Sequence, residues 1–245
     1  MSEFNLNTEK TCIIVPCYNE EKRLDIDKFK EFPDPNIYFL FVNDGSTDGT
    51  LAILEKNRSE RILVHPLHKN SGKAEAVRKA MMHLTGLPIF SEIKWVGYWD
   101  ADLATPLCEI RNFFIYKEIF MPYAKAVFGS RIIRLGSDIR RKFSRHIIGR
   151  LFAIFVKIIF NLGTYDSQCG AKIFRKELVH EIFTEPFVSK WIFDVEIILR
   201  MKKNNRHIVE SPLVSWEDIK GSKLMKISSI TCIFSDLLKL WLKYG

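Results

Sequence analysis

Residues 95–106, WVGYWDADLATP, constrain the fold more than any other stretch. A short apolar run, Trp95–Trp99, ends abruptly in two carboxylates, Asp100 and Asp102. Such a run bounded by polar residues reads as a buried strand, central in a sheet. Asp is a poor strand residue, so two of them one residue apart mark where strand gives way to loop. In an open α/β sheet, ligands bind outside the carboxyl ends of the strands. Two hard oxygen donors there suit Mg²⁺ or Mn²⁺, which usually also meets substrate phosphates. Asp is also common in turns, so the pair by itself is a weak signal and reads first as a solvated turn; the rest of the chain raises the metal reading.

The rest of the chain supplies the sheet. Cys12–Val15 is a β-rich run stopped by Pro16, and a helix is expected over about Glu20–Phe29. FPDPN at 32–36 is a turn signal. Ile37–Val42 is a second strand, and NDGSTDGT behind it offers an N-cap at Thr47 or Asp48 for a helix over Leu51–Asn57. Ile62–His65 is a third strand, and HKNSGK opens a helix over Ala74–Leu84. Trp95–Trp99 follows as the fourth. Pro106 suits the first turn of a helix over Leu107–Phe120. Strands at Lys125–Phe128 and Lys172–Phe174 and helices at Trp191–Asn204 and Met225–Tyr244 complete the pattern. Alternating strand and helix predicts an α/β fold with a mostly parallel central sheet flanked by helices.

Hydrophobic residues make up 47% of the 245, enough for a full core in a single domain. The net charge of +8 favours an anionic partner: nucleic acid, anionic lipid or a phosphorylated substrate. Five scattered cysteines with no CxxC pair read as reduced thiols. The polar start MSEFNLNTEK is no signal peptide, and no apolar run reaches the ~20 residues of a bilayer span. The expectation is a cytoplasmic chain, peripheral at the inner face of the membrane.

Five motifs then fall in order: IIVPCYNEE (13–21), VNDGSTDGT (42–50), NSGKAEAVRKAM (70–81), DAD (100–102) and GSR (129–131). Together they resemble the family 2 inverting glycosyltransferases, with a GT-A-type, Rossmann-like nucleotide-sugar fold. DSQCGAKIFRKE (166–177), WIFDVEIILR (191–200), the spacing of Trp216 to GSKL and the ending SSITCIFSDLLKLWLKYG resemble the dolichyl-phosphate β-glucosyltransferases more narrowly. The resemblance covers about residues 11–245. It implies a nucleotide-sugar half (11–131) and an acceptor half (132–245) with amphipathic helices. Eukaryotic members carry an N-terminal membrane anchor that this sequence does not show. A prokaryotic-type polyprenyl phosphate or another acceptor therefore stays open.

A nucleotide sugar presents a base, a ribose, a diphosphate and an activated sugar. Tyr18 can contact the base, with Pro16 fixing the turn, or it can pack on its neighbouring helix. Glu20 or Asp44 can accept from a uracil N–H. The resemblance implies Asp44, although NDGS is also ideal for an Asx turn. NSGK lacks the spacing of a Walker A loop. Lys73 near a helix N-terminus nonetheless suits phosphates, and its alternative is a solvated helix lysine. Asp102 is the first choice of metal ligand, with Asp100 assisting or holding the ribose. The bound Mg²⁺ or Mn²⁺ would act as Lewis acid on the diphosphate. Arg131 and Lys223 can add positive charge to departing UDP. Alternatively Arg131 pairs with a nearby carboxylate and the GSK loop is a plain turn. The resemblance puts the acceptor-side carboxylate at Asp194. With a hydroxyl acceptor it is a general base. With a phosphate acceptor, already ionised near neutral pH, it only positions groups. Its other reading is a helix-dipole partner.

Ile147–Leu162 is apolar, interrupted by Arg150 and Lys157, and preceded by the basic IRRKFSRH. It is too short and too charged to span a bilayer. Ile227, Ile230, Phe234, Leu237, Leu238 and Trp241 make a second apolar face beside Lys239 and Lys243. Both read as contacts with an anionic membrane surface, or as helices covering the sheet or a second subunit. The leading expectation is transfer of a hexose, glucose from UDP-glucose, onto a polyprenyl or dolichyl phosphate. A sugar-hydroxyl (glycan) acceptor is the alternative. A nucleic-acid-binding protein is disfavoured because the aromatics are not interleaved with basic residues. A nucleotidyltransferase would want an early glycine-rich phosphate loop, which VPCYNEE is not.

Overall fold

A computed structural model describes residues 9–219 and 227–245. The first half alternates as its sequence directs. Strands β1 (Thr11–Cys17), β2 (Ile37–Asp44), β3 (Ile62–Leu67) and β4 (Trp95–Trp99) are separated by helices α1 (Ile26–Lys30), α2 (Thr50–Lys56), α3 (Lys73–Thr85) and α4 (Ile89–Glu92). Beyond β4 come α5 (Glu109–Phe120), β5 (Ala126–Ser130), β6 (Asp138–Arg140), α6 (Phe143–Phe160) and β7 (Ala171–Arg175). The chain closes with α7 (Val179–Phe183), α8 (Phe193–Lys203), β8 (Ile208–Pro212), β9 (Ser215–Glu217) and α9 (Ile227–Tyr244).

Seven strands form one sheet in the order β3-β2-β1-β4-β7-β5-β8. All neighbours are parallel except β7, which runs antiparallel to both β4 and β5. The strands β2, β4 and β5 are buried along their whole length, which is why they read as unbroken apolar runs. The edge strands β3 and β8 alternate instead. Inside β8 a glutamate and a terminal proline, IVESP, hide the strand signal, so sequence reading passes over it. The three-residue β6 and β9, a parallel pair, are too short for any period.

Two further differences have local causes. The first strand runs on through Pro16 to Cys17, with Pro16 opposite Val42. The helix expected from Glu20 starts only at Ile26. The N–H groups of Asn19, Glu20 and Glu21 are taken by side chains of residues 46–50, so this polar stretch forms a stitched loop rather than a helical turn.

The sheet carries one apolar layer on each face. Ile14, Leu40, Tyr98, Phe128 and Phe174 pack with residues of α3, α7, α8 and α9. Ile13, Phe39, Trp95, Trp99 and Ile173 pack with α1, α2 and α5. No helix among the described residues is long and apolar enough to cross a membrane. Helices α6 and α9 present a second apolar surface outward. Ile147, Leu151, Ile154, Phe155 and Ile158 are exposed on α6, and Leu238, Trp241 and Leu242 on α9. Met225, expected to start the last helix, lies outside the described residues.

Helix α9 is anchored by buried polar groups. Glu196, fully buried on α8, accepts from Val188 N at 2.7 Å, Arg200 Nη2 at 2.8 Å and Tyr244 Oη at 3.0 Å. Replacing it leaves the Arg200 guanidinium buried without its counter-charge. Glu196→Ala is expected to cost roughly 3–5 kcal/mol in urea-denaturation stability.

Candidate active site

The parallel strands release the chain along one edge of the sheet. There β1 ends in CYNEE, β2 in NDGSTDGT and β4 in DADLATP. Antiparallel β7 begins at the same edge, because Ala171 lies opposite Trp99 and Lys172 opposite Tyr98. The DSQCG segment is thereby delivered against the DAD segment.

The first two loops are laced together. Asn19 N donates to Ser46 Oγ at 3.0 Å, and Thr47 N donates to Asn19 Oδ1 at 2.8 Å. Gly49 N donates to Glu21 Oε2 at 3.1 Å. The N-cap of α2 is Gly49 rather than the expected Thr47 or Asp48; Asp48 stands one residue earlier, where its Oδ1 accepts from Thr50 N at 3.0 Å. Pro16 and Tyr18 lie half-buried in and after β1, and Glu20 Oε1 accepts from Arg23 at 2.6 Å. Asp44 turns towards the NSGK loop. Its Oδ1 accepts from Ser71 N and Oγ, and its Oδ2 from Gly72 N, each at 2.8 Å. This is turn chemistry, but it acts across the fold instead of inside NDGS. Gly45, at φ +64°, makes the approach possible, since a Cβ there would meet Asn70 N at 2.5 Å.

Asp44 thus fixes the residues just before α3, and Lys73 is the first residue of that helix. Lys73 Nζ donates to Asp100 Oδ1 at 2.5 Å. Burial opposes its charge, yet Asp100, Asp194 and Asp102 hold the ammonium's pKa above its ordinary value. Asp102 Oδ1 accepts from Ala104 N at 3.1 Å. Burial, then the Asp100 charge, pushes the Asp102 carboxyl up, against the opposing pull of Lys73 and Arg23. Two crowded carboxylates, one already short of positive charge, fit a hard divalent cation. Among the described residues no third His, Cys, Asp or Glu joins them. Phosphate oxygens and water would have to complete the shell, the usual pattern for Mg²⁺.

On the other side lies a buried trio. Asp194, in the first turn of α8, accepts at Oδ1 from Tyr98 Oη and from Lys172 Nζ, the latter at 2.6 Å. Lys172 is wholly buried and also donates to Cys169 O at 2.5 Å. Burial and the Asp194 charge keep the Tyr98 phenol protonated well above its usual range.

Arg131 realises the pairing alternative. Its Nε and Nη2 donate to Asp166 at 2.6 and 2.8 Å, and its guanidinium lies 5.3 Å from the Trp216 ring centre. Burial works against the Asp166 carboxylate, but Arg131 overrides it and holds the pKa at about 2. Glu210 on β8 sets this up, accepting from Thr164 Oγ1, Tyr165 N and Asp166 N. Lys223 lies outside the described residues.

The sequence profile of Glycosyl transferase family 2 matches residues 12–183. The chain belongs to this family. The transferase is 33% identical over 252 residues to a dolichyl-phosphate beta-glucosyltransferase of Dictyostelium discoideum, covering 95% of this chain and 74% of that one. It is 29% identical to the human protein of the same name, over 97% of this chain and 76% of that one. Its fold matches glucosyl-3-phosphoglycerate synthase from Mycobacterium tuberculosis in complex with UDP, with TM-score 0.66, 14% identity, and 95% and 80% of the two chains covered. The same synthase has also been solved with Mn²⁺, UDP and glucosyl-3-phosphoglycerate, with TM-score 0.63, 15% identity, and 94% and 80% covered. The expected α/β, GT-A-type fold is thus the observed one.

Several residues of this candidate site escape a sequence reading. Lys172 carried one signal, a charge set inside the apolar strand AKIF. Tyr98 reads as core until its hydroxyl finds Asp194. Gly170 is invisible without coordinates: a Cβ there would sit 1.8 Å from Asp100 Oδ2. Arg23 sits in a stretch read as helix, and Glu210 in one to which the sequence reading assigns no element.

Gly170→Ala must push Asp100 aside. A displacement of about 1 Å at a reacting centre costs on the order of 10²-fold in rate. Turnover is expected to fall by that factor while the urea midpoint moves little. Asp166 gives a pH signature. Its folded pKa lies below its unfolded value of ~3.9, so its stabilisation is complete above about pH 4 and is lost as pH falls towards 2. The stability gap between wild type and Asp166→Asn, measured by urea denaturation, should therefore narrow below pH 4.

Proposed function

We propose that this transferase moves glucose from UDP-glucose onto a polyprenyl phosphate of the dolichyl type, with inversion. The names of the relatives supply the acceptor and sugar class, and complexes of the structural neighbour supply the nucleotide. One observation of this chain's own carries the choice of acceptor. Asp194 Oδ1 is already filled by a phenol and a buried ammonium. A carboxylate held this way is built to position groups. A phosphate acceptor asks for no more, being largely ionised near neutral pH. The partly exposed ammonium of Lys73 suits an anionic acceptor better than a neutral hydroxyl.

In this reading Tyr18 and Pro16 face the base, and Asp44 acts by fixing the loop that carries Lys73. Asp102 and Asp100 would hold Mg²⁺ or Mn²⁺, which when bound neutralises the diphosphate as a Lewis acid. Lys73 and, outside the described residues, Lys223 meet the departing phosphates. Arg131, committed to Asp166, shapes the wall beneath them. The site draws on both 11–131 and 132–245, so the two halves act as one catalytic domain.

The outward faces of α6 and α9 extend the proposal to a membrane surface. Both helices bury one apolar face and expose another, and Lys157, Lys239 and Lys243 are exposed beside the outer one. A soluble monomer rarely leaves so continuous an apolar stripe in water. Next to lysines it suits the interface of an anionic bilayer, where a lipid-borne acceptor lives.

The test is UDP release with Mn²⁺ across a donor panel, with and without a short polyprenyl phosphate. UDP-glucose with polyprenyl phosphate should give the fastest release, and Asp102→Asn should slow it by about 10²-fold, roughly 3 kcal/mol. Asp194→Asn should slow it less than the ~10²–10⁴-fold expected of a lost general base. Release that ignores polyprenyl phosphate and is stimulated by a sugar hydroxyl overturns the assignment.

A further inference from the structure

Lys73 stands on one of the oxygens a divalent ion would use. Its ammonium is hydrogen-bonded to Asp100 Oδ1 at 2.5 Å, with Asp102 and Asp194 as its other charged neighbours. Its main chain is fixed from behind, because Asp44 holds Ser71 and Gly72. Its side chain is about one-third exposed, so the ammonium can swing on a stationary base. Asp194 offers it no equal alternative, since Lys172 already neutralises that carboxylate.

We propose that Lys73 is a tethered occupant of the cation site that gives way to metal only when a nucleoside diphosphate arrives. The proposal rests on the reading of Asp100 and Asp102 as metal ligands. Three carboxylates, Asp100, Asp102 and Asp194, face two ammoniums, Lys73 and Lys172. The other described charged neighbours are internally paired, Arg131 with Asp166 and Arg23 with Glu20. Among the described residues the pocket therefore holds one uncompensated negative charge. A divalent ion alone reverses the sign of a partly buried pocket and must also turn the ammonium out into water, away from its counter-charge. A diphosphate changes both conditions. It brings the missing negative charge and offers the ammonium a new set of oxygens, which a lysine meets as a point charge. Asp100 is then released to the metal. Cation and diphosphate consequently bind as a pair, and linkage requires each to raise the other's affinity by the same factor.

The experiment is Mn²⁺ titration of the full chain, following the electron paramagnetic resonance signal of unbound Mn²⁺, with and without saturating UDP. Wild type should bind Mn²⁺ weakly alone and about tenfold or more tightly with UDP, within the usual range of coupling. Lys73→Gln should bind Mn²⁺ alone about tenfold more tightly than wild type and respond to UDP by only a few-fold. Lys73→Arg, which keeps the charge, should retain the wild-type coupling. The proposal is overturned if Lys73→Gln, with a native circular dichroism spectrum, binds Mn²⁺ alone no more tightly than wild type. A wild type that binds no Mn²⁺ even with UDP overturns the metal reading as well, so the two failures are told apart.

Discussion

The pairing of Lys172 with Asp194 is the constraint on which the site depends. A wholly buried ammonium is tolerated only when its charge is answered and its protons are placed, since the penalty for an unpaired buried ion is several kcal/mol. Here Asp194 and the Cys169 carbonyl answer it, and the rings of Tyr98 and Phe128 lie 5.4 and 5.1 Å away. That demand fixes the pairing of β7 with β4 and the depth at which α8 docks. A slip of β7 by one residue would turn Lys172 to the opposite face of the sheet and strand its charge in the apolar layer of Ile13, Trp95 and Trp99. The same register sets Gly170 under Asp100, so the buried pair and the acidic edge of the sheet are aligned by one geometric decision.

Much of this was open to a reader of the sequence, for physical reasons. Interior strands buried on both faces are continuous apolar runs, and β2 and β4 announce themselves that way. The carboxylates ending β4 were legible because Asp is so poorly suited to a strand. What stayed hidden depends on partners far apart in the chain. The helix expected after Glu20 dissolved because residues 46–50 compete for its N–H groups. Asp44 looked like a local turn former and proved to be a brace on Ser71 and Gly72. Arg131 could be read as a phosphate ligand or as half of an ion pair, and only the position of Asp166 decides between these in the structure. β8 was lost to its own composition, since an edge strand need not be apolar.

Helix α9 is joined to the catalytic side of the molecule by polar groups as well as by packing. Asp236 accepts from Ser189 Oγ at 2.6 Å, and the same hydroxyl accepts from Ile192 N at the start of α8. Arg200 gathers the carbonyls of Ile182, Glu185 and Pro186. The loop leading into Asp194 is thus held between α8 and α9. A helix with Leu238, Trp241 and Leu242 exposed on its outer face is thereby tied within a few bonds to Asp194.

The antiparallel insertion of β7 has a consequence for how the chain is made. The strand sits between β4 and β5, yet it is synthesised some forty residues after β5. Until it emerges, two apolar strands lie with open flanks, and the nascent sheet has a gap at its centre. The four strands β3, β2, β1 and β4 are contiguous, but their flank at β4 stays unpaired until β7 arrives. Sheet closure waits for a distant segment, a high-contact-order step of the kind that slows folding and invites help from chaperones.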